Sequence, residues 1–198
     1  MKKIALLLLL AASFSMPAFA ADGAEPIKLI SYNLRTSHGK DGDNVWMKRR
    51  HATPEMIRRE APDVFGVQEG LIDQLHYIDT ECPQYARVGV GRDDGAEKGE
   101  FMAVYYLRDR FELLDSGTFW LSETPDKVSR GWDGACNRTV TWVELKDRKS
   151  GKEFFYFNTH LDHKGKGATM LMVGAVIMIA CHLSFAFLLP AFPSKWLA

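Results

Sequence analysis

The sequence predicts an α/β protein, a layered α/β sandwich of two mixed β-sheets flanked by helices. Three observations point there. In the first half of the chain, two strand-like apolar runs (27–34 and 64–69) alternate with two helix-like stretches (46–60 and 71–80). From residue 85 to 160 the runs are strand-like and follow one another directly. Clusters of turn residues separate them. Alternation followed by serial strands is the pattern of helices packed on sheets.

Residues 27–34 form a β-branched and apolar run that ends in polar groups, as a first strand does. Residues 46–60 carry Trp46, Arg50, Met56 and Ile57 at loose helical spacing, and Pro54 is expected at the first position of the main part. Ala61-Pro62-Asp63 ends that helix. Residues 64–69 are almost continuously apolar, as expected of a strand covered on both faces. A second helix over 71–80 precedes Cys82-Pro83. Strands are then expected at 85–90, 101–107, 111–120, 138–146 and 153–160, with turns at 92–95 and 147–151. No internal repeat or domain-separating linker is present.

Charge divides the chain into three parts. The 198 residues hold 25 Lys and Arg against 25 Asp and Glu, for a net charge of +0. With 46% hydrophobic and 25% charged residues, disordered, collagen-like and low-complexity classes are excluded. Residues 21–166 contain 22 basic and 25 acidic groups, net −3, which gives no support to a basic nucleic-acid-binding surface.

Residues 1–20 read as a secretory signal. Lys2 and Lys3 precede an apolar run, and Ala18-Phe19-Ala20 offers a small-x-small cleavage site. The mature chain is expected to start at Ala21 and to be exported to the periplasm or beyond; an uncleaved anchor is the alternative. Residues 170–189 are apolar except for Gly174, His182 and Ser184, long enough to cross a hydrocarbon core. A membrane anchor, a buried core helix and a tail foreign to the domain remain open for this segment. Cys82, Cys136 and Cys181 are odd in number and lack CxxC spacing, so neither a disulfide framework nor a zinc site is expected. A single Cys82–Cys136 bridge is open to an exported chain.

Three segments place polar residues after apolar runs, where an α/β fold forms its site. They are Ser31-Tyr32-Asn33-Leu34-Arg35, Val67-Gln68-Glu69-Gly70 and Asn158-Thr159-His160-Leu161-Asp162-His163. Singly, each fits a turn or a solvated strand end equally well. Trp46, Trp120, Trp132 and Trp142 fit a core as well as a pocket.

Together and in this order, SYNLR at 31–35, DVFGVQEG at 63–70 and FYFNTHLDH at 155–163 resemble the endonuclease/exonuclease/phosphatase family of metal-dependent phosphoesterases. YARVGVGRDDG at 85–95 and GWDGACNRTVTWVEL at 131–145 look like its exported bacterial branch. The resemblance implies a deoxyribonuclease-like fold and hydrolysis of a phosphodiester or phosphomonoester. It also implies Mg²⁺, or Mn²⁺, held by Glu69, with Asn33 beside the metal and His160 on the scissile phosphate. Asn158, Asp162 and Arg138 are further candidates for the phosphate side, Asp162 as a partner that fixes the His160 ring. A strand-end ion pair is the alternative for Arg138, and a solvent-facing loop residue for Asp162. The substrate is open among a small molecule, a lipid head group and nucleic acid. No obligate protein partner is indicated.

The match stops at Lys166. The family pattern continues with an amphipathic helix, a Gly-Asp-Phe-Asn segment and a late Asp-His pair, none of which follows here. The second half of the fold is therefore expected to be incomplete, and the chain to be a C-terminally truncated member with little activity alone. A membrane-tethered, non-catalytic remnant or interaction protein is the alternative.

Overall fold

The computed structural model describes residues 25–162, 164 and 165. The expected signal segment 1–20, the apolar stretch 170–189, Cys181 and His163 lie outside the described residues. Among the described residues, no helix is long and apolar enough to cross a membrane.

In chain order the elements are β1 (Leu29–Asn33), α1 (Trp46–Arg49), α2 (Ala52–Glu60), β2 (Val64–Gln68), α3 (Ile72–Glu81), β3 (Tyr85–Val88), β4 (Val104–Leu107), β5 (Phe111–Trp120), β6 (Thr139–Asp147) and β7 (Glu153–Thr159). The first sheet has the order β1-β2-β4-β3 and is mixed: β1 and β2 run parallel, and the other pairs are antiparallel. The second sheet, β5-β6-β7, is antiparallel throughout.

The expected helix over 46–60 is two helices. Pro54 explains the break: it has no N–H to donate to the Arg50 carbonyl, and its ring would press on that carbonyl in a continuous helix. Pro54 sits at the third position of α2 rather than the first, still within the turn whose N–H groups have no intrahelical partner. Strand β4 starts three residues later than expected. Phe101 instead bridges Gly70 and Gly91, its N–H donating to the Gly70 carbonyl at 2.7 Å.

All five residues of β2 are buried, because its two faces meet different partners. Phe65 and Val67 face the helices, among Ile57 of α2, Leu75 and Ile78 of α3, and Tyr105 of β4. Phe65 and Tyr105 are cross-strand partners whose rings stack at 4.6 Å. Val64 faces the second sheet with Val104, Tyr106, Phe111, Val143 and Leu145. At one end Arg110 closes the sandwich, pairing with Asp63 at 2.7 Å and Asp147 at 3.3 Å. Strand β7 stands over β2, which leaves Leu29, Ser31 and Asn33 of the edge strand β1 exposed.

The two sheets are joined by a polar clamp. The Asn158 amide of β7 donates to the carbonyls of Val67 at 2.8 Å and Ala103 at 2.9 Å, and its oxygen accepts from Gln68 Nε2 at 2.6 Å. Gly66 leaves the space this requires: a Cβ there would lie 2.6 Å from Asn158 Cγ. Gly66→Ala should therefore lower the stability of the chain by about 2 kcal/mol through overpacking. Urea unfolding reads this directly, and an unchanged midpoint would show that the sheets do not meet there.

Candidate functional site

Asn33 is the last residue of β1, and Glu69 directly follows its parallel neighbour β2. The register pairs Asn33 with Gln68, so the residue after each strand leaves the sheet at the same edge. The Asn33 side chain donates from Nδ2 to Glu69 Oε1 at 2.9 Å, and its Oδ1 accepts the Arg35 N–H at 2.8 Å. The second carboxylate oxygen, Glu69 Oε2, is less committed. It accepts a long bond from the Thr36 N–H at 3.4 Å and lies 3.9 Å from the Arg35 guanidinium.

The backbone bends sharply at both places. Arg35 (φ 55°) and Glu69 (φ 58°) are non-glycine residues in the left-handed region. Each costs of the order of 1–2 kcal/mol and persists only where the surroundings over-determine it. For Arg35 those surroundings include Asp41, which takes both ends of the guanidinium at 2.9 and 3.1 Å. An open cleft of about 470 Å³ lies here, lined in part by Asn33, Arg35, Asp41 and Arg49.

Glu69 is mostly covered, its side chain 18% exposed. Burial pushes its carboxyl up, but the Asn33 amide, the Thr36 N–H and the charges of His160 and Arg35 together hold it below the ordinary range. The group is a carboxylate at neutral pH, partly dry and next to the cleft-lining Asn33 and Arg35.

His160 follows β7 and reaches the same neighbourhood, where Glu69, Glu100, Arg92 and Arg138 all act on it. Burial and the Arg138 charge push its imidazole below the ordinary value, with Arg92 adding to this and the two glutamates opposing it. Its Nδ1 is buried and has no hydrogen-bond partner among the described residues. The imidazole is thus neutral and half-buried, close enough to Glu69 to feel its charge.

The other sequence candidates take supporting positions. Asn158 forms the clamp between the sheets, with both amide hydrogens on backbone carbonyls. Asp162, expected to fix the His160 ring, is buried and takes the N–H groups of Ala135, Lys164 and Gly165 at 2.8 to 2.9 Å. Arg138, 3% exposed, lies 3.5 Å from Asp162 through Nε, the ion pair named above as the alternative. Of the tryptophans named as core or pocket candidates, Trp46 and Trp120 are buried and Trp132 is exposed. Cys82 and Cys136 are free thiols.

Several contributing residues escaped the sequence reading. Arg92 pairs with Glu100 at 2.5 Å beside the site, and Gln74 and Arg49 hold the loop after β1 from two different helices. Only the Leu71-to-Gln74 spacing, half of a helix capping box, hinted at any of them.

Among the described residues, no group of three or more His, Cys, Asp and Glu side chains is placed to hold a metal ion. A hard cation such as Mg²⁺ needs fewer protein ligands, taking one or two carboxylates and completing its shell with water and substrate oxygens. Glu69 Oε2, with lone pairs left over, fits that role, and the Asn33 amide fixes the carboxylate's orientation.

No family model matches the chain. The chain is similar to solved structures. It is 38% identical to an endonuclease/exonuclease/phosphatase from Bacteroides vulgatus, with a TM-score of 0.74 over 77% of this chain and 59% of that one. It is 39% identical to a mannosyl-6-phosphatase from Bacteroides thetaiotaomicron, with a TM-score of 0.76 over 80% of this chain and 60% of that one. An uncharacterized protein of Acanthamoeba polyphaga mimivirus is 26% identical over 124 residues, 59% of this chain and 46% of its own length. The chain thus spans about three-fifths or less of the relatives it matches.

The Asp162 site carries a pH signature. Burial raises the carboxyl, but three backbone N–H groups and Arg138 hold it far below its ordinary 3.8. The stabilisation is therefore complete above that value and is lost as pH falls from about 3.8 toward the folded-state pKa. Asp162→Asn should lower stability at neutral pH and flatten the acid limb of the profile below pH 4, as read by thermal unfolding across pH. An acid limb with the same slope as the parent chain would contradict this.

Proposed function

We propose that this chain, which belongs to the endonuclease/exonuclease/phosphatase family, carries the metal-binding and phosphate-orienting part of a phosphoesterase site. The reading rests on one observation: the Asn33 amide holds Glu69 Oε1 at 2.9 Å while Glu69 Oε2 takes a long bond of 3.4 Å from the Thr36 N–H. Glu69 is the ligand for Mg²⁺ or Mn²⁺, and Asn33 orients it. Bound there, the ion would offset charge on the phosphoryl oxygens and make an adjacent water more acidic.

The chain's own residues have distinct parts. His160, neutral in the free site and acted on by the Glu69 charge, is the group that meets a phosphoryl oxygen. The arriving negative charge raises the imidazole's proton affinity, so the ring holds a proton at that contact. Arg138 and Asp162 fix the loop behind it, and Asn158 sets the depth of β7 against β2.

A small phosphate monoester, such as a sugar phosphate, suits this chain better than a nucleic acid. The relative from Bacteroides thetaiotaomicron acts on a mannosyl 6-phosphate. The net charge of −3 over residues 21–166 opposes the long-range attraction that nucleic-acid binding draws on. The family's Gly-Asp-Phe-Asn segment and late Asp-His pair are absent from residues 167–198. Turnover by this chain alone is accordingly expected to be weak, with binding retained.

Mn²⁺ titration followed by electron paramagnetic resonance should show a site that Glu69→Ala weakens by at least the roughly tenfold that loss of an outer partner of a ligand costs. Mg²⁺-dependent hydrolysis of p-nitrophenyl phosphate and mannose 6-phosphate should be slight. Mn²⁺ binding indifferent to Glu69→Ala would refute the site. Strong hydrolysis abolished by Glu69→Ala would keep the site and refute the impairment.

A further inference from the structure

Gln74 lies in the first turn of α3 with its polar side chain fully enclosed, 0% exposed. Its Oε1 accepts from the Leu71 N–H at 3.1 Å, which is ordinary capping of its own helix. Its other two bonds reach far along the chain. The same Oε1 accepts from the Ser37 N–H at 3.0 Å, and Nε2 donates to the Arg35 carbonyl at 3.0 Å. One buried amide therefore ties the loop after β1, residues 34–37, to the loop after β2, residues 69–71.

Those two loops carry the candidate metal site. Between them, Arg35 is held at φ 55°, which an arginine adopts only under constraint. Its carbonyl receives two donors, Gln74 Nε2 and Arg49 Nη2, while Arg49 Nη1 holds the Leu34 carbonyl at 2.8 Å. The bend so maintained delivers the Thr36 N–H and the Arg35 guanidinium to Glu69 Oε2.

We propose that Gln74 is a positioning residue for the Glu69 site, acting through the left-handed bend at Arg35 and the Leu71 N–H. The proposal rests on the metal-site reading given above. It assigns to a residue with no contact to Glu69 the task of fixing how the carboxylate meets a cation.

The test is Mn²⁺ affinity of the full chain, by electron paramagnetic resonance, in a double-mutant cycle of Gln74→Met and Arg35→Gly. Methionine keeps the unbranched shape and removes the hydrogen bonds. Gln74→Met should weaken Mn²⁺ binding about tenfold, as loss of an outer hydrogen-bond partner does. Glycine adopts φ of +55° freely, so in the Arg35→Gly background the same substitution should cost less than about threefold. A purely structural glutamine would give equal losses in both backgrounds, and that result overturns the proposal. Unchanged binding in Gln74→Met overturns it alone, with the metal site intact. Absence of Mn²⁺ binding by the unsubstituted chain overturns the metal reading and this inference together.

Discussion

The parallel register of β1 on β2 is the constraint on which the site depends. Leu29 pairs with Val64 and Asn33 with Gln68, so both strands end at one level. The register is pinned at each end. Lys28 and Asp63 exchange backbone and side-chain bonds below, and the Leu34 N–H donates to the Gln68 carbonyl above. A slip of one residue would reverse the face of every side chain on β1 and separate the Asn33 amide from Glu69. Parallel neighbours cannot be joined by a hairpin. The crossover from residue 34 to 63 therefore has to exist, and it brings α1 and α2 with it. Arg49 of α1 then returns to hold the carbonyls of the loop it came from.

Hydrogen-bond satisfaction separates the groups that build the site from those left to act in it. Asn158 has both amide hydrogens and its oxygen engaged across the sheets, and Asp162 is surrounded by backbone donors and Arg138. Groups so occupied can locate their neighbours but have little left for a ligand. Glu69 Oε2 and His160 Nδ1 are the exceptions, one weakly bonded and the other unpartnered among the described residues.

The sequence showed the framework well because its signals were local. A strand with both faces covered reads as an unbroken apolar run, as 64–69 does, and β2 is fully buried. Polar residues after three such runs marked the sheet edge where Asn33, Glu69 and His160 gather. What the polar residues meet was less legible. Asn158 and His160 share parity, yet Asn158 turns between the sheets, where Gly66 on the opposite strand leaves it room, and His160 sits beyond the strand end. Asp162 has the right distance along the chain to serve His160, but it takes backbone N–H groups from the loop at 135 and from residues 164 and 165 and pairs with Arg138. Gln74 and Arg49 left almost no trace, since they act on backbone carbonyls and N–H groups, which every sequence possesses. Pro54 signals locally where the main helix begins, but nothing local shows that the helix before it closes at Arg49.

Charge explains why the strained bends at Arg35 and Glu69 are worth keeping. A mostly covered carboxylate would ordinarily take up a proton more readily; here the Asn33 amide, the Thr36 N–H and the Arg35 guanidinium help reverse that tendency. The histidine nearby is shifted the opposite way for its type of charge, toward neutrality, by burial and by Arg138. The result is a fixed negative group beside an uncharged, unsatisfied imidazole. The first attracts a cation, and the second offers a hydrogen bond to an anion without first having to lose a counter-ion. A pair of this kind favours a cation and an anion arriving together over either one alone, because each new charge offsets the other's loss of water.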